Sequence, residues 1–150
     1  MTTHLTEPIQ LLELTGQAVG TTDSYEVTQG QVNRFANVTG DHQWIHTDPE
    51  RAAQGRFGGT IAHGYLTLSL VPQILAEVLT VDNVTAALNY GLNKVRFPSP
   101  VPVGSKLRVT VTVTAARQKP TGIEVVFALT AEIDGASRPA CIAGVVVLYR

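Results

Sequence analysis

Cysteine is almost missing from this 150-residue chain, and the single thiol, Cys141, has no second one to pair with. An internal disulfide is therefore excluded, stability must come from a packed core, and a reducing cytoplasm is the expected compartment. No basic-then-apolar leader opens the chain, and its longest apolar runs fall far short of the roughly 20 residues a bilayer span needs. A soluble protein is expected. Charge is scarce as well: the formal net charge is −1 with both signs interspersed, which leaves no electrostatic footprint for nucleic acid or an anionic membrane. Internal repeats and low-complexity tracts are absent too, so solenoids and linkers are set aside.

What the chain does have is apolar residues, 44% of the total, without a break in composition. That supports one domain over residues 1–150, with 1–15 as an N-terminal arm. Met1 to Leu14 mixes polar and apolar types and reads as an arm or short helix. Gly16 to Val27 reads as a strand interrupted by the polar stretch Thr21 to Ser24. Thr28 suits an N-cap, Val32, Phe35, Ala36 and Thr39 recur at helical spacing, and Gly40 ends that helix. Asp48 before Pro49 is a second N-cap signal, for a short helix from Pro49 to Ala53 that Gly55, Gly58 and Gly59 terminate.

From Gly64 to about Leu79 apolar residues fall on nearly every side, which predicts a helix buried in the middle of the fold. After Asp82-Asn83 the period changes to two and β-branched residues dominate. Strands are expected over Ala86 to Phe97, Lys106 to Ala116, Ile123 to Ile133 and Ala140 to Tyr149. Pro98, Pro100, Pro102 and Gly104 separate the first two, Pro120-Thr121-Gly122 the next, and Asp134-Gly135 predicts a tight hairpin turn needing positive backbone angles. The fold class is α+β, an antiparallel sheet wrapped round one helix.

Chemistry concentrates between two segments. Thr39-Gly40-Asp41-His42-Gln43-Trp44-Ile45-His46 is too rich in glycine and polar residues for a core helix, so it predicts a loop carrying a carboxylate and an imidazole. Such a pair can hold or deprotonate a water and relay its proton near neutral pH. Alone, Asp41 reads more simply as a helix-terminating acid in an Asx turn, and only the full motif reverses that. Phe57-Gly58-Gly59-Thr60-Ile61-Ala62-His63-Gly64 completes the pattern at the mouth of the apolar helix. His42, His46 and Asp48 have a spacing that could suggest a metal, but zinc takes three or four protein ligands and no further His/Cys cluster supplies them, so no metal and no cofactor are expected. His63 serves either as a second acid or base or, more simply, as a group fixing the turn into the helix. Cys141, in a predicted strand, reads as a small hydrophobe.

These residues carry a resemblance. Gly40-Asp41-x-x-x-Ile45-His46, the spacing from His46 to Ala52, Ile61-Ala62-His63-Gly64 and Val95-Arg96-Phe97-x-x-Pro100-Val101 resemble the MaoC-like dehydratases, also called (R)-specific enoyl-CoA hydratases or hydratase 2 family, including nodulation-protein N-like members. The similarity runs from about Val19 to the C-terminus. It implies a hot-dog fold, an antiparallel sheet around a long central helix, and a homodimer with a continuous sheet. It also implies reversible hydration of trans-2-enoyl thioesters of CoA or acyl carrier protein to (R)-3-hydroxyacyl thioesters.

On that resemblance Asp41 and His46 hold and activate the water, and the backbone N–H of Gly64 binds the thioester oxygen. A free N–H at a helix start also suits a developing oxyanion on physical grounds. Gln43 and Trp44 stand where the family usually has Asn-Pro, and Pro72 stands where some members carry a serine; Ser69 is given no catalytic role. Gln43, Trp44, Phe57 and Tyr65 are candidate substrate-binding residues, with ordinary packing as the equal alternative for the three aromatics. Arg56, Lys94, Arg96 and Arg117 are candidates for CoA phosphates, with solvated surface as the simpler assignment. Two other functions fit the same architecture: a hot-dog acyl-thioester thioesterase, which needs an acid that Gly64 to Val71 does not offer, and a non-catalytic subunit of a heterodimeric dehydratase.

Overall fold

The computed structural model describes residues 2–150, and one six-stranded sheet organises most of them. The chain starts with β1 (Thr3–Leu5) and a 3₁₀-helix, Pro8–Leu14, whose Leu11 is fully buried. The expected arm is thus pinned to the body. β2 (Ala18–Thr21) and β3 (Tyr25–Glu26) follow, broken where Thr22 to Ser24 interrupt the apolar pattern. Then come α1 (Gln29–Thr39), α2 (Trp44–Thr47), α3 (Pro49–Ala53), α4 (Gly64–Ser69) and α5 (Val71–Val78). The remaining strands are β4 (Leu79–Val81), β5 (Ala87–Arg96), β6 (Lys106–Lys119), β7 (Gly122–Ile133) and β8 (Cys141–Tyr149).

Strand order is β2-β6-β7-β8-β5, every neighbour antiparallel, with β3 extending the β2 edge and β1 pairing in parallel with β4. Alternate residues of β6 (Leu107, Val109, Val111, Val113) and β7 (Val125, Phe127, Leu129, Ala131) are buried on the face turned to α4 and α5. Burying each such side chain stabilises by roughly 1.5–3 kcal/mol, which explains how a chain without disulfides holds this shape. This is the hot-dog arrangement.

Local signals act where the sequence placed them. Thr28 Oγ1 accepts the N–H of Gln31 to open α1, and Gly40, at φ +82, closes it by donating to the Ala36 carbonyl at 2.8 Å. Asp48 Oδ1 accepts the Arg51 N–H to open α3. Three expectations are corrected. The central helix is interrupted at Leu70, because Pro72 has no N–H to give the Leu68 carbonyl and its ring collides with that turn. It is not apolar all round either: α5 buries Val71, Ile74, Leu75 and Val78 and exposes Pro72, Gln73, Ala76 and Glu77. Asp134-Gly135 does not form a two-residue hairpin; a seven-residue loop, 134–140, joins β7 to β8, and only Gly135 takes a positive φ, +78.

Candidate active site

Gly40 breaks α1, so Asp41 emerges on the loop between α1 and α2. Its side chain is half exposed, and its Oδ1 accepts the Gln43 N–H at 3.3 Å. The single turn α2 then swings His46 inward until the residue is only 6% exposed. His46 Nδ1–H donates to the carbonyl of Ile61 at 2.6 Å, which fixes the tautomer and leaves Nε2 with its lone pair. That Nε2 lies 4.0 Å from Asp41 Oδ2. Burial pushes the His46 imidazole below its ordinary 6.5, and the nearby His63 pushes it further down; the hydrogen bond to Ile61 and the Asp41 carboxylate partly oppose them.

Two straps hold the second segment beside the first. Ile61 N–H donates to the Ile45 carbonyl, and Ala62 N–H to that of Val101. His63 and Gly64 therefore arrive at the same place as the Asp41 loop. The His63 ring is 3% exposed, stacks on His46 with centroids 3.8 Å apart, and its Nε2–H donates to the Asp41 backbone carbonyl at 3.0 Å. Gly64 is the first residue of α4, so its N–H has no carbonyl within the helix to bond. An added Cβ there would lie 3.1 Å from the Phe97 ring.

A cavity of about 300 Å³ opens against these groups, lined among others by His46, Phe57, Ile61, Gly64, Thr67 and Phe97. Of the candidates proposed from sequence, His46, Gly64 and Phe57 line it; Asp41 is not among the lining residues and reaches the site through its carboxylate, 4.0 Å from His46 Nε2. Trp44 packs elsewhere, between the Gly55 backbone and the Arg51 guanidinium, 4.3 Å from its ring. Tyr65 is 70% exposed and meets Phe97 edge-on outside the cavity, and Gln43 is exposed at the start of α2. Arg56 lies over Phe57 and Arg96 is next to Phe97, both near the mouth, whereas Arg117 pairs with Glu124 on the sheet. Cys141 is buried among apolar residues, and burial raises its thiol pKa.

Asp41, His46 and His63 each offer one atom within 4.8 Å of the others, a set that could hold a metal ion. His46 has the right tautomer for it. His63 does not fit, since its Nε2 is already spent on the Asp41 carbonyl. The set His42, His46 and Asp48 weighed from spacing does not form this cluster.

One positioning residue was invisible to sequence reasoning. Gln29, in the first turn of α1, donates from Nε2 to the His46 carbonyl at 2.7 Å and accepts from the Thr60 hydroxyl at 2.6 Å. It thereby joins both halves of the site. Its partners lie 17 and 31 residues away, with no periodicity to flag them.

The chain is similar to known proteins along most of its length. A family model described as MaoC like domain matches residues 11–133. The chain is 50% identical over 135 residues to 3-hydroxyacyl-thioester dehydratase Z of Mycobacterium tuberculosis, covering 89% of each protein. It is 40% identical over 138 residues to nodulation protein N of Rhizobium leguminosarum bv. viciae, covering 90% of this chain and 86% of that one. Among solved structures, the unliganded R-hydratase PhaJ1 of Pseudomonas aeruginosa superposes with a TM-score of 0.73 at 25% identity, over 90% of this chain and 81% of that one.

Proposed function

The chain belongs to the MaoC-like domain family, and on that premise we propose that it is a hydro-lyase, adding water reversibly to trans-2-enoyl thioesters and acting as a 3-hydroxyacyl-thioester dehydratase in the other direction. The observation that carries this is the 4.0 Å gap between Asp41 Oδ2 and His46 Nε2. Two hydrogen bonds of about 2.8 Å from one water span such a gap. Both acceptors are supplied: a carboxylate, and an imidazole whose other nitrogen is committed to Ile61.

In hydration the oxygen of that water attacks C3 while the dyad takes one of its protons. The C2=C3 π electrons move toward the thioester carbonyl, whose oxygen gains negative charge against the Gly64 N–H. The dyad then returns the proton to C2, so water is consumed and nothing else is released. A fixed donor at the oxyanion is commonly worth about 10²–10³ in rate. The acyl thioester follows the name of the Mycobacterium relative and the (R) configuration that of the R-hydratase; CoA or acyl carrier protein as the carrier is part of the proposal.

The thioesterase reading lacks its acid. Of the two helices that face the sheet, α4 carries none, and Glu77 of α5 is exposed and accepts the Asp23 N–H. The homodimer is supported by β5, a ten-residue edge strand that exposes Leu88, Tyr90 and Leu92 instead of burying alternate residues. A chain-length series of trans-2-enoyl-CoA substrates, with chiral analysis of the 3-hydroxy products, tests the activity, and sedimentation of the same sample tests the dimer. Release of thiol from saturated acyl-CoA without loss of an enoyl chromophore would replace this function with hydrolysis.

A further inference from the structure

His63 occupies the N-cap position of α4, yet its side chain makes no capping bond there. It reaches back 22 residues instead, and Nε2–H donates to the backbone carbonyl of Asp41. One face of its ring stacks on His46, and Phe35 of α1 lies tilted at 4.9 Å. Its Nδ1 is buried without a hydrogen-bond partner among the described residues. An unpaired buried acceptor costs stability, and a fold tolerates one where a side chain's placement serves something other than packing.

We propose that His63 is a positioning residue for the water-adding dyad, tying the Asp41 backbone to the helix mouth and holding the His46 ring in register with Gly64. This rests on the hydratase reading for its kinetic consequences, and on geometry alone for its structural ones. The other ties of the Asp41 loop are local: Asp41 itself bonds Thr39 Oγ1 and the Gln43 N–H at 3.4 and 3.3 Å, and the adjacent His42 bonds Thr47 Oγ1 and the Gly40 carbonyl at 3.1 Å. The bond from His63 is the one that ties Asp41 to the segment carrying Gly64, and so helps set how far the carboxylate stands from His46 Nε2. A misplacement on the order of 1 Å at such a site costs roughly 10² in rate.

Two substitutions separate the contributions. His63→Phe keeps a stacked ring without a donor; His63→Gln keeps a donor near the Nε2 position without the ring. His63→Phe is expected to lower kcat by about 10² with KM little changed, and His63→Gln to recover most of that loss. The loss confined to kcat in His63→Phe, with its recovery in His63→Gln, is the readout that a merely structural role would not give. Equal kcat in both variants, normalised to folded protein, overturns the proposal.

Nitrogen-labelled histidine in the unmodified protein gives a readout that needs neither a folded variant nor turnover. A protonated Nε2 on His63 with scalar coupling to the Asp41 carbonyl is expected; an unprotonated Nε2 overturns the proposal. An inactive wild-type protein that shows this coupling would refute the hydratase reading and leave the positioning intact.

Discussion

Asp41→Asn separates chemistry from stability more cleanly than any other change in this site. The side chain is half exposed, and the atom that His63 grips is the backbone carbonyl, which the substitution leaves in place. Asparagine also keeps an Oδ1 for the Gln43 N–H. The folding free energy should therefore change by no more than about 0.5 kcal/mol, as for ordinary surface substitutions. Catalysis loses its anionic acceptor 4.0 Å from His46 Nε2. Removing a positioned acid–base group costs about 10²–10⁴ in rate, or roughly 2.7–5.4 kcal/mol of barrier at 1.36 kcal/mol per decade.

The assay is loss of the enoyl chromophore of crotonyl-CoA, with a urea melt of the same preparation. A second signature comes free: the Asp41 carboxylate is among the influences that raise the His46 pKa, so residual activity in Asp41→Asn should show its acid limb at lower pH. A fully folded Asp41→Asn protein with about a tenth of wild-type activity or more would refute the dyad, since the loss would then be too small for an acid–base group.

Gly64→Ala keeps the N–H but sets a Cβ 3.1 Å from a partly exposed Phe97 ring that can tilt, so a folded protein with about tenfold slower hydration is expected. Gly64→Pro removes the N–H at a first helical position where proline is tolerated, and a further loss of about 10²–10³ should appear in kcat. His46 has its pKa depressed below 6.5 by folding, so its contribution to stability is complete above that pH and is lost as pH falls through the folded value. Melting temperature against pH should show this step in the wild type and lose it in His46→Gln. Gly122→Ala would set a Cβ 2.2 Å from the Tyr149 carbonyl oxygen at φ +145, and should lower the urea midpoint by the equivalent of about 1–3 kcal/mol.

Local chemistry in the chain was enough to locate Asp41 and to shape what surrounds it. A threonine cap, a helix-stopping Gly40 and an Asp48-Pro49 start act through neighbours within one turn, so they read directly from order and spacing. The period-two strands and the apolar helix were legible for the same reason, because side-chain direction follows backbone period. Pro72 was visible too, but its effect on the central helix was masked by an apolar pattern that continues on both sides of it. Trp44 is a substrate-binding candidate on its residue type, but size and apolarity say nothing of direction; only packing against Gly55 and Arg51 turns it away.

Sequence by itself determined the long strands, the first helix, the α+β class and the residue types able to move a proton. Tertiary structure alone decided which of them meet. The contacts that assemble the site link positions 15 to 31 residues apart: Ile61 with His46, Gln29 with His46 and Thr60, and His63 with Asp41. Two of the groups gripped are backbone carbonyls of the dyad residues themselves, and a third is that of Ile61. Every residue but none in particular has such a carbonyl, so no pattern of side chains can announce one, and only the folded path of the chain brings it within reach.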